Sequence, residues 1–322
     1  GWTQPGGRPH AETEALAQAG PAAAGATAYV TLEPCANWGR TPPCAQALIA
    51  AGVRRVVVGC IDPDPRVDGK GIAQLRAAGI DVELGCLEAP ARAAHRGLYR
   101  RILDGRPMVT LKLAQSLDGR IATATGESQW ISGEAARAYA HQLRATHDAI
   151  AVGSATALID DPQLTCRLPG LADRTPVRVV LDRRLRLSPE SRLARTAAES
   201  PVWVITSEAA PPDRAETLRA AGVELLLVPA AALLAGALAR LAERGITRLL
   251  VEGGATLAAA LLRERLVDRL AVVTAPIVLG GDGRPAVDVL ALARLAEAPR
   301  FGIVEERRRG PDRLRVMEPE AA

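Results

Sequence analysis

A chain of 322 residues, nearly half of them apolar and with a formal net charge of +4, is long enough for two domains with a packed core in each and too weakly charged to argue for a nucleic-acid partner. Its basic character is almost all arginine, since only Lys70 and Lys112 are lysines, and a small positive excess suits an anionic small molecule equally well. The five cysteines are odd in number and scattered, which excludes a disulfide framework; the longest apolar run, 225–239, is broken by Pro229 and is too short for a membrane helix.

In chain order, 10–20 (HAETEALAQAG) reads as a helix stopped by Gly20. Residues 26–34 form a β-rich run closed by Pro34, and 42–52 begins with prolines and ends in glycine, the asymmetry of a short helix. A buried strand at 54–62, a helix at 69–79, a strand at 80–86 and a helix over 88–105 complete an alternation that predicts an α/β domain with a largely parallel sheet. The pattern breaks at Gly105-Arg106-Pro107. Beyond it come a strand over 108–116, a turn at 117–119 and a helix over 134–147. Strands follow at 148–153, 177–182, 202–207, 248–254 and 269–280, with helices between them. The expectation is two α/β domains, 1–104 and 107–322, without internal repeats, and with a polar last dozen residues that fray.

His10-Ala11-Glu12 followed by Pro34-Cys35 and Pro43-Cys44 has the H-x-E and paired-cysteine order with which zinc-dependent base deaminases hold their metal. One imidazole and two thiolates make three protein ligands and leave the fourth tetrahedral position open, as a catalytic zinc requires. Glu12, two residues from His10 at a helix start, reaches the open position without binding the metal and is the candidate proton shuttle. Both cysteines follow prolines at expected loop-to-helix junctions, where helix dipoles favour thiolates. Cys60, Cys86 and Cys166 lack such a setting and are expected to pack in the core.

Most deaminases of this kind separate the two cysteines by two residues, whereas CANWGRTPPC puts eight between Cys35 and Cys44. That spacing, with TLEPC before it, resembles the deaminase half of the bifunctional deaminase/reductase family of riboflavin biosynthesis. The resemblance continues through VVVGCIDPDPRVDGKGI (56–72), LKLAQSLDGRIA (111–122), GESQWIS (126–132), LRATHDAIAVGSAT (143–156), DDPQLTCR (160–167) and VEGGATLAAALL (251–262). It implies a cytidine-deaminase-like zinc domain followed by a dihydrofolate-reductase-like reductase domain. His10, Cys35 and Cys44 would hold one zinc per chain, with Glu12 as the catalytic carboxylate.

The implied reactions are hydrolytic deamination of a diaminopyrimidinone ribosyl phosphate, then NADPH-dependent reduction of its ribosyl group to ribityl. The implied partners are that small molecule and further copies of the chain, with neither nucleic acid nor membrane, in a cytoplasmic setting. Two departures stand out. Family members carry a His in C-x-H-x-G where this chain has Asn37, which cannot carry a charge toward a substrate phosphate. They also have a helix and two strands ahead of the segment that opens here, so the resemblance leaves a second reading in play: a reductase with a structural zinc domain, unable to deaminate.

No G-x-G-x-x-G is present in the second half. Glu252-Gly253-Gly254 instead ends a strand and opens a helix, where small residues let backbone amides approach a pyrophosphate. By resemblance, Ala114, Trp130, Thr156, Asp160 and Gly254, Ala255, Thr256 and Leu257 are cofactor contacts, and Ser128, Arg144, Leu164, Arg167 and Glu252 are substrate contacts. Arg144 and Arg167 offer planar forks for a phosphate and Glu252 can bind ribityl hydroxyls, while Lys112, one of only two lysines, hints that an amine is wanted at its position. In VVLDRRLRL, Arg183 and Arg184 follow a strand end and would select the 2′-phosphate of NADPH, although Asp182 beside them would favour the ribose hydroxyl of NADH.

Overall fold

The computed structural model describes residues 1–39 and 42–320. Arg40 and Thr41, part of the long intercysteine segment, lie outside the described residues. The chain divides into two compact units, Gly1–Asp104 and Gly105–Ala322.

The first unit runs α1 (Ala11–Ala19), β1 (Thr27–Leu32), α2 (Cys44–Ala50), β2 (Arg55–Cys60), α3 (Lys70–Ala77), β3 (Asp81–Leu84), α4 (Glu88–Ala94) and α5 (Arg96–Leu103). Its three strands are parallel in the order β1-β2-β3, as the alternation predicts. Val56 and Val58 of β2 pack with Ala45 and Leu48 of α2 and with Ile72 and Leu75 of α3, so two short helices share one apolar face of the central strand. The helix expected over 88–105 is two helices, because His95 leaves helical geometry (φ −97°, ψ 9°) between α4 and α5.

The second unit contains β4 (Met108–Gln115), β5 (Arg120–Ala122), α6 (Glu134–Ala145), β6 (Ala149–Gly153), α7 (Ser154–Asp160), β7 (Val177–Leu181) and α8 (Arg192–Arg195). It continues through β8 (Val202–Ser207), α9 (Pro212–Ala220), β9 (Glu224–Val228), α10 (Leu233–Glu243), β10 (Arg248–Glu252), α11 (Ala255–Arg263) and β11 (Arg269–Thr274). It ends with β12 (Arg284–Pro285), β13 (Phe301–Arg309) and β14 (Asp312–Pro319). Nine strands form one sheet in the order β13-β14-β11-β4-β10-β6-β7-β8-β9, parallel from β11 to β9 and closed by the antiparallel β14 and β13. Alternate residues of β6 serve opposite faces: Ala149 and Ala151 join a core with Leu238 and Leu241 of α10 and Leu261 of α11. Ile150 and Val152 join another with Leu143 of α6, Leu193 of α8 and Leu218 of α9. Helices thus cover both faces, which is why the parallel strands read as unbroken apolar runs.

Most of the polar C-terminal stretch is a strand, contrary to the expectation of fraying, and residues 321–322 lie outside the described residues. Residues 312–319 form β14, whose Leu314 and Val316 face the core while Arg313 and Arg315 alternate outward, so the arginines masked a period-two strand. β9 and β13 were likewise not anticipated. The strand expected over 269–280 stops at Thr274, short of Pro276, which has no amide to donate.

His147, just after α6, is held inside this sheet. Its Nδ1–H donates to the Leu143 carbonyl (2.7 Å) and its Nε2 accepts from the Thr110 hydroxyl (2.9 Å), a pattern only the neutral ring completes. Burial, offset in part by the Leu143 bond, pushes its pKa down to about 4, below the ordinary value of 6.5. The unfolded chain therefore binds a proton first as pH falls, and this stability is present above about 6.5 and lost on the way down to about 4. Chemical denaturation at pH 7 and pH 4.5 is expected to show a pH-dependent loss about 2 kcal/mol smaller in His147→Gln than in the parent chain. Equal losses would show that His147 is not the titrating group.

Candidate functional site

His10 is the N-cap of α1 (φ −75°, ψ 162°), and Glu12 stands in the first turn. β1 ends at Leu32 and passes through Glu33 and Pro34 to Cys35, while Cys44 is the first residue of α2. His10 Nδ1 lies 3.3 Å from Cys44 Sγ and 3.6 Å from Cys35 Sγ, and the three donor atoms fall within 4.8 Å of one another. Zinc bonds of about 2.3 Å to sulfur and about 2.1 Å to nitrogen, at the tetrahedral angle, set N and S about 3.6 Å apart. The donor set therefore has the spacing and chemistry of a three-ligand zinc site.

Cys35 does not start a helix, contrary to expectation; it lies in the loop after β1, and the Cys44 backbone N–H donates to its sulfur at 3.3 Å. The Cys44 thiol, hydrogen-bonded to Cys35, holds the Cys35 thiol down to about 4, and the same bond with burial pushes Cys44 up. Burial also raises the Glu12 carboxyl, a direction that nearby Cys35 reinforces and that the helix-start amide and His10 oppose. A carboxyl so raised exchanges protons more readily near neutrality than an exposed one. Among the remaining cysteines, Cys60 and Cys166 are buried and donate to the carbonyls of Thr31 and His141. Cys86, expected in the core, is exposed: it sits after Gly85 (φ +94°), where β3 has ended and the chain turns outward. Asn37 is half-buried.

In the second unit Glu252, Gly254 and Arg183 stand at or just past the C-terminal ends of parallel strands. Glu252, the last residue of β10, is the register partner of Lys112, which lies in the second half of β4. Arg144, from the last turn of α6, grips both oxygens of Glu252, with Nε to Oε1 at 2.8 Å and Nη2 to Oε2 at 2.9 Å. Its remaining Nη1 donates to the Thr165 carbonyl. The Arg144 fork is therefore filled by protein, which the sequence did not foretell. Burial pushes the Glu252 carboxyl up, but the Arg144 ion pair, with Lys112 and His141, more than reverses it and leaves it lowered. Lys112 is pushed down by burial and by Arg144, with Glu252 opposing.

Arg167 is exposed, and its pKa is lowered by partial burial and by the Arg144 and Arg192 cations. Its backbone N–H donates to His141 Nδ1 at 3.2 Å. His141 stands three residues before Arg144 on α6 and was missed; that spacing places both on one helix face and was the available signal. One carboxylate thus faces several cations. Leu164 lies in the core with φ +56°, so only its backbone is presented to a ligand. Ser128 is half-buried, and Trp130 is exposed with the Arg137 guanidinium 4.6 Å from its ring centroid.

Gly253 and Gly254 (φ +82° and +84°) connect β10 to α11 with backbones that side chains resist. A Cβ on Gly254 would lie 3.3 Å from Thr156 Oγ1, so the absent side chains leave a cradle between the α11 start and Thr156. Ala255, Thr256 and Leu257 form the first turn of α11, whose amides lack helical partners; the Thr256 hydroxyl donates to Asp288 (3.0 Å). Ala114 lies on β4 one strand away. Burial raises the Asp160 carboxyl, and Arg284 pulls the other way. Arg183 and Arg184 are exposed just past β7. Asp182 is fully buried and accepts the backbone N–H groups of Arg186 and Leu187, so it is not offered to a ribose. Arg186, not singled out in the sequence, reaches the Ser154 hydroxyl at the start of α7.

Residues 3–60 match the cytidine and deoxycytidylate deaminase zinc-binding region, and residues 107–312 match the RibD C-terminal domain. The chain is 43% identical to the riboflavin biosynthesis protein RibD of Escherichia coli over 97% of its own length and 87% of that protein's. The RibD structure from Acinetobacter baumannii superposes with a TM-score of 0.87 at 39% identity, covering 98% of this chain and 86% of that one. A diaminohydroxyphosphoribosylaminopyrimidine deaminase/5-amino-6-(5-phosphoribosylamino)uracil reductase from Thermotoga maritima follows at 0.81 and 34%, covering 97% and 86%. With the deaminase-type and reductase-type regions both present and in the same order, the chain belongs to the RibD family of riboflavin biosynthesis proteins.

Proposed function

We propose that the chain deaminates a diaminopyrimidinone ribosyl phosphate in its first unit and reduces the ribosyl group to ribityl in its second. The observation that carries the first step is the convergence of His10, Cys35 and Cys44 with Glu12 beside them. Zinc held there supplies the Lewis acidity that makes hydroxide available near neutral pH. Glu12 takes the proton from the attacking water and delivers it toward the ring nitrogen and the departing amine, so that ring amine and water become ring carbonyl and ammonia. Asn37, half-buried after Cys35, can orient a substrate by a hydrogen bond but adds no charge.

For the second step NADPH supplies the hydride. The glycine cradle beside Thr156 fits the cofactor's pyrophosphate, with Ala114, Trp130, Asp160 and the first turn of α11 around it. Because Glu252 fills the Arg144 fork, we assign the substrate phosphate to Arg167, with Arg144 holding Glu252 toward the sugar hydroxyls. An anion between Arg167 and its cationic neighbours relieves the repulsion among them. Ser128 and the backbone of Leu164 complete that wall. The substrate is a small molecule, and we propose further that the enzyme works in the cytoplasm as a homo-oligomer, without nucleic-acid or membrane partners. Separately, no helix among the described residues is long and apolar enough to cross a membrane.

Metal analysis of the purified chain is expected to find one zinc, lost in Cys44→Ala, while Glu12→Gln keeps its zinc and loses ammonia release by about a hundredfold or more. Equal zinc in the parent and Cys44→Ala would remove the metal assignment, and full ammonia release by Glu12→Gln would remove the proton shuttle.

Cofactor choice is tested separately. With Asp182 buried, Arg183 and Arg184 face the adenosine side of the strand edge unopposed, and a charge-assisted hydrogen bond there contributes about 1.5–3 kcal/mol. Replacing both by alanine is expected to cut the NADPH-to-NADH ratio of kcat/KM by at least about tenfold, chiefly through the KM for NADPH. A ratio equal to that of the parent chain would show that these arginines do not select the cofactor.

A further inference from the structure

Glu33 is 2% exposed and lies two residues before Cys35. Its carboxylate accepts four backbone N–H groups and no side chain. Oε1 takes Gly71 (2.9 Å) and Ile72 (3.2 Å); Oε2 takes Gly69 (2.9 Å) and Asp62 (3.3 Å). Gly69, Gly71 and Ile72 belong to the start of α3, so Glu33 caps that helix from outside. Asp62 is at the other end of the loop that leaves β2. Both ends of loop 62–69 are therefore fastened to one carboxylate.

A second contact fixes the same junction. A Cβ on Gly71 would fall 1.9 Å from the Pro34 carbonyl oxygen, so only glycine lets α3 approach the strand-end segment this closely. Between its fastened ends the loop is stiff: the Asp64 amide donates to Asp62, Arg66 pairs with Asp64, and the Lys70 ammonium donates to the Pro65 carbonyl. The far end of the loop lies beside the Pro34-Cys35 segment, because Gly71 packs against the Pro34 carbonyl and, from α3, the Gln74 amide reaches the Ala36 carbonyl (3.5 Å).

We propose that Glu33 is a positioning residue for the deamination step: it locks loop 62–72 against the Pro34-Cys35 segment, so that the loop forms a fixed wall of the zinc pocket. Glu33 touches neither the metal donors nor the substrate; it acts through the backbone it holds. A four-fold clasp needs an acceptor at both ends of the side chain. Glutamine keeps the shape but turns an N–H₂ toward two N–H donors, which breaks half of the clasp and leaves the rest. The inference rests on the deaminase reading of the first unit.

The test uses the full chain and three variants: Glu33→Gln, Gly71→Ala, and Val53→Ala as a core truncation before β2, at the strand end away from the loop. Zinc content, deaminase kinetics with the diaminopyrimidinone ribosyl phosphate and amide hydrogen exchange are measured for each. Glu33→Gln and Gly71→Ala are expected to keep one zinc, to raise KM by at least about tenfold, and to speed exchange across residues 62–72. Val53→Ala is expected to lower the unfolding temperature without moving KM. An unchanged KM or unchanged loop exchange in Glu33→Gln overturns the inference, as does loss of zinc or an equal KM shift in Val53→Ala. A parent chain that releases no ammonia counts against the deaminase reading itself, and loop exchange in the zinc-loaded variants then decides the clasp alone.

Discussion

Parallel strands can be joined only by crossovers, so neighbouring strands present their C-terminal ends along the same edge of the sheet, where the last amides and carbonyls have no ladder partner. Several of the groups with chemistry in this chain stand on such an edge, and helix ends bring the others. In the first unit, β1 runs out into Glu33-Pro34-Cys35 and β2 into the loop that Glu33 fastens. In the second, β6 runs into the helix that carries Thr156, β7 stops two residues before Arg183, and β10 ends at Glu252 with its glycines, beside Lys112 in the second half of β4. The helices on both faces fix the height and spacing of these ends, and buried registers such as Glu252 against Lys112 leave no freedom to slip.

The two sites use burial differently. In the zinc site it acts on donors that must lose protons: Cys35 and Cys44 share one hydrogen bond that drives their pKa values apart, and a cation there satisfies both sulfurs at once. In the second unit burial acts on opposite charges that keep theirs. Glu252 is held toward its ionised form because Arg144 matches it atom for atom, and Arg167, whose pKa partial burial and the neighbouring arginines lower, is the cation on which the proposed phosphate contact rests. Removing Glu252 would leave those cations uncompensated, which is a larger change than losing one ligand contact.

Much of this was legible in the sequence. The alternation of strands and helices led to the parallel sheets, and the convergence of His10, Cys35 and Cys44 could be anticipated because metal chemistry restricts both residue type and order. What stayed hidden depended on partners remote in sequence. Nothing in Arg144 or Glu252 alone says that they bind one another across 108 positions. Asp182 read as a rival for a ribose until its burial and two backbone bonds removed it. The arginines of 312–319 concealed a strand because composition outweighed alternation, and Cys86 was placed in the core on residue type alone, where a glycine turn carries it outward.

If one chain performs both reactions in a fixed order, the first needs the His10–Cys35–Cys44 site and the second does not. The direct measurement follows ammonia and NADPH together, with the diamino substrate and with its deaminated product, before and after zinc is removed by chelation. The account expects one ammonia per NADPH oxidised from the diamino substrate, with ammonia appearing first. After chelation neither signal should arise from that substrate, while NADPH oxidation with the deaminated compound continues undiminished. NADPH oxidation from the diamino substrate without ammonia release, or its survival after zinc removal, would contradict the account.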